Sequence, residues 1–255
     1  MQAYGRVRTN MPPAALPQVH RLAQANCRIM AGKMGAVLAF PELEAGWQAA
    51  LEQAWDAYRA GSAPVGAAYA APSGQVLWRG RNRVGEHEAP LGHLCGTRVA
   101  HAEIDVLLQA PADSFADMAH GRLYTTLEPC PMCFGAAVMS GVRDIRFGAR
   151  DLWAGAANLA AASPYLAKKA MRLTGPDPLL QAVSLVLMTE FTLRRGAPRA
   201  VEVAAAFRAQ DPAAADLAER WLASGRLLRA AREGQSAAQL CEAIWQDLAP
   251  TPWTG

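Results

Sequence analysis

The chain has 255 residues, 52% of them hydrophobic, enough to bury one substantial core with room for a second small domain. No stretch approaches the roughly 18 to 20 uninterrupted apolar residues that a membrane-spanning helix needs, which excludes a membrane partner from the expectation and favours a cytoplasmic protein. The formal charge of +3 is unevenly spread: residues 1–41 hold five basic groups and no Asp or Glu, and from Glu42 onward 20 basic face 22 acidic residues, a balance of −2 that lends no support to tight polyanion binding.

The acid-free leader, residues 1–41, contains Pro12, Pro13 and Pro17 and reads as a poorly ordered basic tail that carries no chemistry. From Leu43 to Ala60, Trp47, Leu51, Trp55 and Tyr58 recur at helical spacing, and Gly61 stands where a left-handed C-terminal cap belongs. Two short apolar runs, Pro64 to Ala71 and Gln75 to Gly80, flank Pro72-Ser73-Gly74, the composition of a tight reversal, and predict a β-hairpin. Arg81 to Ala100, with Gly85, Pro90, Gly92 and Gly96 and no periodicity, is a loop long enough to suggest a functional role.

A helix is predicted over His101 to Gln109, a strand over Arg122 to Leu127, a helix over Cys130 to Ser140 and a strand over Val142 to Phe147. Helix, two strands, helix, strand, helix, strand implies an α/β fold, a mixed sheet covered by helices. Beyond about residue 156 the sequence is Ala-rich and predominantly helical, with an apolar helix over Leu179 to Leu193, a helix start at Asp211-Pro212, and a capping box of Ser236 with Gln239 before Leu240, Ile244 and Leu248. These helices are expected to cover the sheet or a partner subunit.

Five cysteines, at 27, 95, 130, 133 and 241, are an odd number and point to reduced thiols available for metal or catalysis. The informative constellation is His101-Ala102-Glu103 followed by Pro129-Cys130-Pro131-Met132-Cys133. Thiolates at i and i+3 at the beginning of a helix share one face, and the helix dipole favours their ionised form. A histidine opening another helix supplies a third ligand, which leaves the fourth tetrahedral position of a zinc ion for water. Glu103, two residues beyond the histidine, points near that position without binding metal and is placed to move protons.

A histidine and a glutamate with one residue between them, joined to Pro-Cys-x-x-Cys, form the signature of zinc deaminases. The stretch Thr125-Thr126-Leu127-Glu128-Pro129-Cys130-Pro131-Met132-Cys133 resembles the cytidine deaminase-like superfamily, in particular its branch of bacterial tRNA adenosine deaminases and guanine deaminases. Gly135-Ala136, Phe147-Gly148-Ala149-Arg150-Asp151, Pro64-Val65-Gly66-Ala67 and Gly80-Arg81-Asn82-Arg83 are similar too, so roughly residues 43 to 155 are covered.

The resemblance implies a three-layer α/β/α fold with a five-stranded sheet, homodimers, and one Zn2+ per chain on His101, Cys130 and Cys133, with Glu103 catalytic. It further implies that Asn82 hydrogen-bonds the substrate and that the Ala67 backbone neighbours the metal-bound water at the substrate site; Pro129 and Phe134, each next to one of the ligand cysteines, are expected to border the substrate. The expected organisation is therefore a basic leader (1–41), a zinc deaminase domain (42–155) and a helical C-terminal extension (156–255). The loop from Asn82 to His101 is longer than in tRNA adenosine deaminases, and about 100 residues after Asp151 have no counterpart there. A small nucleobase, nucleoside or related heterocycle is the expected substrate; adenosine within tRNA is the alternative, and a non-catalytic zinc-stabilised interaction protein the third reading. That last would need a fourth ligand, with His87, His93 and Cys95 as donors from the loop.

Overall fold

The computed structural model describes residues 39–249. Nearly all of the basic leader, with Cys27 and His20, lies outside the described residues. Helix α1 (Ala45–Arg59) buries Leu51, Trp55 and Tyr58 of the predicted stripe, with Trp47 half-buried, together with Ala49, Ala50, Ala54 and Ala57, and stops before Gly61, whose φ is +79°. Strands β1 (Gly66–Ala70) and β2 (Val76–Arg81) pair antiparallel as the expected hairpin.

After the long loop come α2 (Ala102–Leu107), β3 (Arg122–Leu127), α3 (Pro131–Met139) and β4 (Asp144–Ala149). A short turn of helix, α4 (Pro164–Ala167), leads to β5 (Arg172–Thr174), and five helices follow: α5 (Pro178–Arg195), α6 (Ala200–Gln210), α7 (Pro212–Ser224), α8 (Arg226–Arg232) and α9 (Ala237–Leu248). The sheet runs β2-β1-β3-β4-β5, with β1 antiparallel to both β2 and β3, and with β3, β4 and β5 parallel.

Helices on both faces make three layers. On one face, Val106 of α2 and Phe134, Ala137 and Val138 of α3 pack with Tyr69, Leu123 and Ile145 of the sheet. On the other, Leu51, Trp55 and Tyr58 of α1 join Leu180, Val183 and Leu187 of α5, Leu217 and Trp221 of α7, and Leu240 and Ile244 of α9. Each such side chain, fully buried, contributes about 1.5 to 3 kcal/mol of transfer free energy. The helices after residue 156 thus cover the sheet, and residues 42–155 and 156–249 share one core. Cys241 is buried in it. Trp47 meets the Tyr124 ring edge-on at 5.1 Å and Trp55 stacks on Tyr58 at 5.2 Å, so both tryptophans are spent on packing.

Three details set up the site. Gly80 on β2 lets α2 approach closely, since a Cβ there would stand 2.6 Å from the Ala102 carbonyl oxygen and 2.7 Å from the Val106 nitrogen. Gly148 on β4 does the same for α5, with Leu180 Cβ 3.1 Å from where a side chain would begin. The 82–100 loop is tied down by Asp105, 1% exposed, which accepts hydrogen bonds from the Arg81 backbone at 3.0 Å and Arg83 Nε at 3.3 Å, with His93 Nδ1 at 2.6 Å from its other oxygen. His93 is thereby committed to holding the loop.

Candidate active site and metal centre

The metal-ligating types converge at two helix starts. His101 is the extended residue immediately before α2, and Cys130 holds the same place before α3, where Pro131 fixes the first helical φ and Cys133 occupies the first turn. Nδ1 of His101 lies 3.7 Å from Cys130 Sγ and 3.5 Å from Cys133 Sγ. Ligands about 2.0 to 2.1 Å (N) and about 2.3 Å (S) from a tetrahedral zinc stand about 3.5 to 3.8 Å apart, so the donors fit that ion in both type and spacing. Among the described residues these three form the one cluster able to hold a metal; His87 is exposed, His93 faces Asp105, and Cys95 lies outside the cluster. No fourth donor joins the cluster among the described residues, so a zinc ion held by these three would be open to water, as catalysis requires and a structural site does not.

The electrostatics suit the task. A hydrogen bond from the Cys133 thiol, with His101 alongside, pushes the Cys130 thiol down to about 4. The same pairing, reinforced by burial, holds the Cys133 thiol above its ordinary range, so the two sulfurs share a proton that a bound cation would displace. The Cys130 sulfur also raises the pKa of His101. Glu103, in the first turn of α2 and 3% exposed, has its carboxyl pushed up by desolvation. A buried carboxyl of that kind holds and releases a proton nearer neutrality than a solvated one.

A cavity of about 210 Å³ gathers these groups. His101, Glu103, Cys130 and Asn82 line it, as do Ala63, Val65, Leu127, Glu128, Asp151, Ala154 and Met188. Cys133, 1% exposed, stands behind the surface. Asn82 spends its Oδ1 on the Val84 N–H, a turn-forming bond at 3.1 Å, and its amide NH2 has no hydrogen-bond partner among the described residues. Glu128 braces the wall by accepting from the Asp151 and Ala157 backbone N–H groups. Asp151 accepts from Trp153 and Ala154 with one oxygen, each at 2.9 Å. The lining holds three carboxylates and no Lys or Arg.

Ala67, Pro129 and Phe134 are not among the lining residues. Ala67 is fully covered within β1, between β2 and β3; the Pro129 carbonyl accepts from Ala156 N–H; and Phe134 packs among Tyr69, Leu123 and Ile145. Phe134 anchors α3 from behind, where a large ring at i+1 from Cys133 is drawn into the core. Of the walls that sequence reasoning left unassigned, Asp151 closes the Phe147–Asp151 stretch and had a signal in that similarity. Met188, on a helix whose apolar character is almost continuous, had none.

Residues 41–149 match the family model described as the cytidine and deoxycytidylate deaminase zinc-binding region. A tRNA(Ile)-lysidine synthase of Thermus thermophilus is 40% identical over 109 residues, which are 43% of this chain and 18% of that protein. A cytosine deaminase of Candida albicans is 33% identical over 107 residues, 40% of this chain and 63% of its own length. A tRNA-specific adenosine deaminase of Bacillus subtilis is 36% identical over 102 residues, 39% and 57% respectively. The chain thus spans less than two thirds of each of these relatives, and the stretch that matches the family model carries His101, Glu103, Cys130 and Cys133.

Proposed function

We propose that this chain, which carries a cytidine and deoxycytidylate deaminase zinc-binding region over residues 41–149, is a hydrolytic deaminase that replaces an exocyclic amine of a small nucleobase-like heterocycle with a carbonyl and releases ammonia. The observation that carries the reading is the three-donor cluster with a buried carboxyl, Glu103, lining the same cavity. Zinc held by His101, Cys130 and Cys133 supplies Lewis acidity, which lowers the pKa of water to about 7.

The chain's own groups do the rest. Glu103 takes a proton from the attacking water and delivers it to the ring nitrogen beside the amine-bearing carbon, so that the new C–O bond forms as the ring's π system opens. The hydroxyl so formed on that carbon gives its proton to Glu103, which passes it to the amine; the C–O double bond forms as the C–N bond breaks, and ammonia leaves. Asn82, whose NH2 is uncommitted, orients the ring by hydrogen bonding. The walls of Leu127, Val65 and Met188 keep bulk water out and make the carboxyl's proton transfers effective.

Cavity size supports a small substrate: about 210 Å³ is below the roughly 300 to 1,000 Å³ of pockets that enclose drug-sized ligands. The relatives named tRNA-specific adenosine deaminase support a second reading, adenosine within tRNA. Against it stand the absence of any cation from the described lining and the acidic balance after residue 41. The test is ammonia release by zinc-loaded protein from a panel of free bases and nucleosides beside an anticodon stem-loop. Turnover of a free base or nucleoside supports the proposal, turnover of the stem-loop alone replaces it with the tRNA reading, and no turnover of either refutes both.

A further inference from the structure

Along residues 180–191 of α5 every residue is buried except Met188, which is half-buried. Met188 lines the same pocket as His101 and Glu103. It is also the single described lining residue that comes from beyond residue 155. All the other walls belong to the stretch shared with known deaminases or lie within a few residues of its end, whereas this one comes from the C-terminal half.

The position of Met188 is rigidly set. Leu180, Ser184 and Met188 fall at i, i+4 and i+8, on one face of α5. The first two sit over Gly148: a Cβ on that glycine would be 3.1 Å from Leu180 Cβ and 3.6 Å from Ser184 Oγ. The helix start is pinned by Asp177, which caps the Leu179 and Leu180 N–H groups and donates its own N–H to the Gly148 carbonyl. Farther along, Tyr58 donates to the buried Glu190 at 2.9 Å and Trp245 Nε1 to the Leu179 carbonyl at 3.0 Å. The helix cannot retreat from the cavity without breaking these contacts. An unbranched thioether adapts its shape to a flat ring, but its volume stays.

We infer that Met188 is a specificity-determining residue, a stop contributed by α5 that restricts the cavity to a free heterocycle and disfavours the same ring carrying a ribose. This inference rests on the deaminase reading for its substrate class. The stop acts on ligand size, so it is read by binding as well as by turnover.

Zinc-loaded wild type, Met188→Ala and the volume-conserving Met188→Leu are compared for equilibrium binding of, and ammonia release from, cytosine, adenine, guanine and their ribonucleosides. Met188→Ala is expected to raise the nucleoside-to-base affinity ratio by roughly tenfold or more, the scale of discrimination by a few methylene-sized groups in an apolar wall. Met188→Leu should leave that ratio as in wild type. If Met188→Ala folds poorly by circular dichroism, Met188→Val removes less bulk and takes its place. A nucleoside-to-base ratio unmoved by truncation overturns the inference. Binding without ammonia release refutes the deaminase reading alone and leaves the ratio readable; no binding of any of the six compounds overturns both.

Discussion

Residues 41–149 and residues 150–249 contribute to one core and one cavity, yet they are written differently. The first stretch holds all three metal donors and Glu103, placed at helix starts where spacing alone decides what can converge. The second holds no metal donor of the cluster; it covers a sheet face, adds the edge strand β5, and supplies three wall residues, Asp151 and Ala154 just past the first stretch and Met188 from α5. Chemistry requires particular atoms at short separations along the chain, whereas covering a sheet requires only apolar surface of the right period. A motif therefore exposes the reacting groups of such a protein, while the part that shapes access to them is carried by residues of ordinary type.

If that division is right, the largest effect comes from breaking the first stretch at a ligand. Cys130→Ser should reduce bound zinc from one per chain to a trace and lower turnover by well over the roughly 10- to 100-fold that loss of an outer hydrogen-bond partner costs a metal site. Metal analysis and ammonia release on the same preparation check this, and stoichiometric zinc in the variant would mean the donors are misassigned. Next in size is Gly80→Ala, which strikes the seat of α2 and no chemical group. Its Cβ meets backbone at 2.6 and 2.7 Å, so α2 must shift. A loss of about 1 to 3 kcal/mol is expected from overpacking, measured by urea denaturation, together with weaker turnover as His101 and Glu103 are displaced.

The smallest effect belongs to the second stretch. Ser236 and Gln239 cap α9 reciprocally, with the Ser236 side chain accepting from Gln239 N–H at 3.2 Å. Ser236→Ala should cost about 1 kcal/mol of stability and leave kcat/KM unchanged. A large fall in turnover from so remote a cap would show that the C-terminal half does more than cover and bound the site.

Most of the fold was legible where periodicity was long and punctuated. The Trp47, Leu51, Trp55 and Tyr58 stripe, the Pro72-Ser73-Gly74 reversal and the Asp211-Pro212 and Ser236/Gln239 starts all stand where the sequence puts them. β5 was not legible, because Arg172–Thr174 is three residues long, largely exposed, and held by parallel pairing to β4. α6 was missed although Ala200, Ala204 and Phe207 are its buried face, since alanine on every side erases the contrast that marks one. The 82–100 loop owes its course to the buried Asp105, a polar contact with no periodic trace.

The site was legible to a similar degree. His101, Glu103, Cys130 and Cys133 announce themselves by type and spacing and meet in space. Asn82 lines the cavity but also spends an oxygen on its own turn. Ala67, Pro129 and Phe134 lie outside the lining because strand pairing and core packing absorb them, and Met188 enters from a helix nothing local connects to the site.

The most direct measurement is a paired one on wild type and Glu103→Gln: zinc per chain, and ammonia released from a panel of free bases and nucleosides. Both proteins should hold one zinc and the same fold, with wild type releasing ammonia from at least one compound and Glu103→Gln slowed by about 10²- to 10⁴-fold, the range for a lost general acid–base group. Equal rates in the two proteins, or a zinc-loaded wild type silent on every compound, would contradict the assignment of Glu103 as the proton carrier of a deaminase.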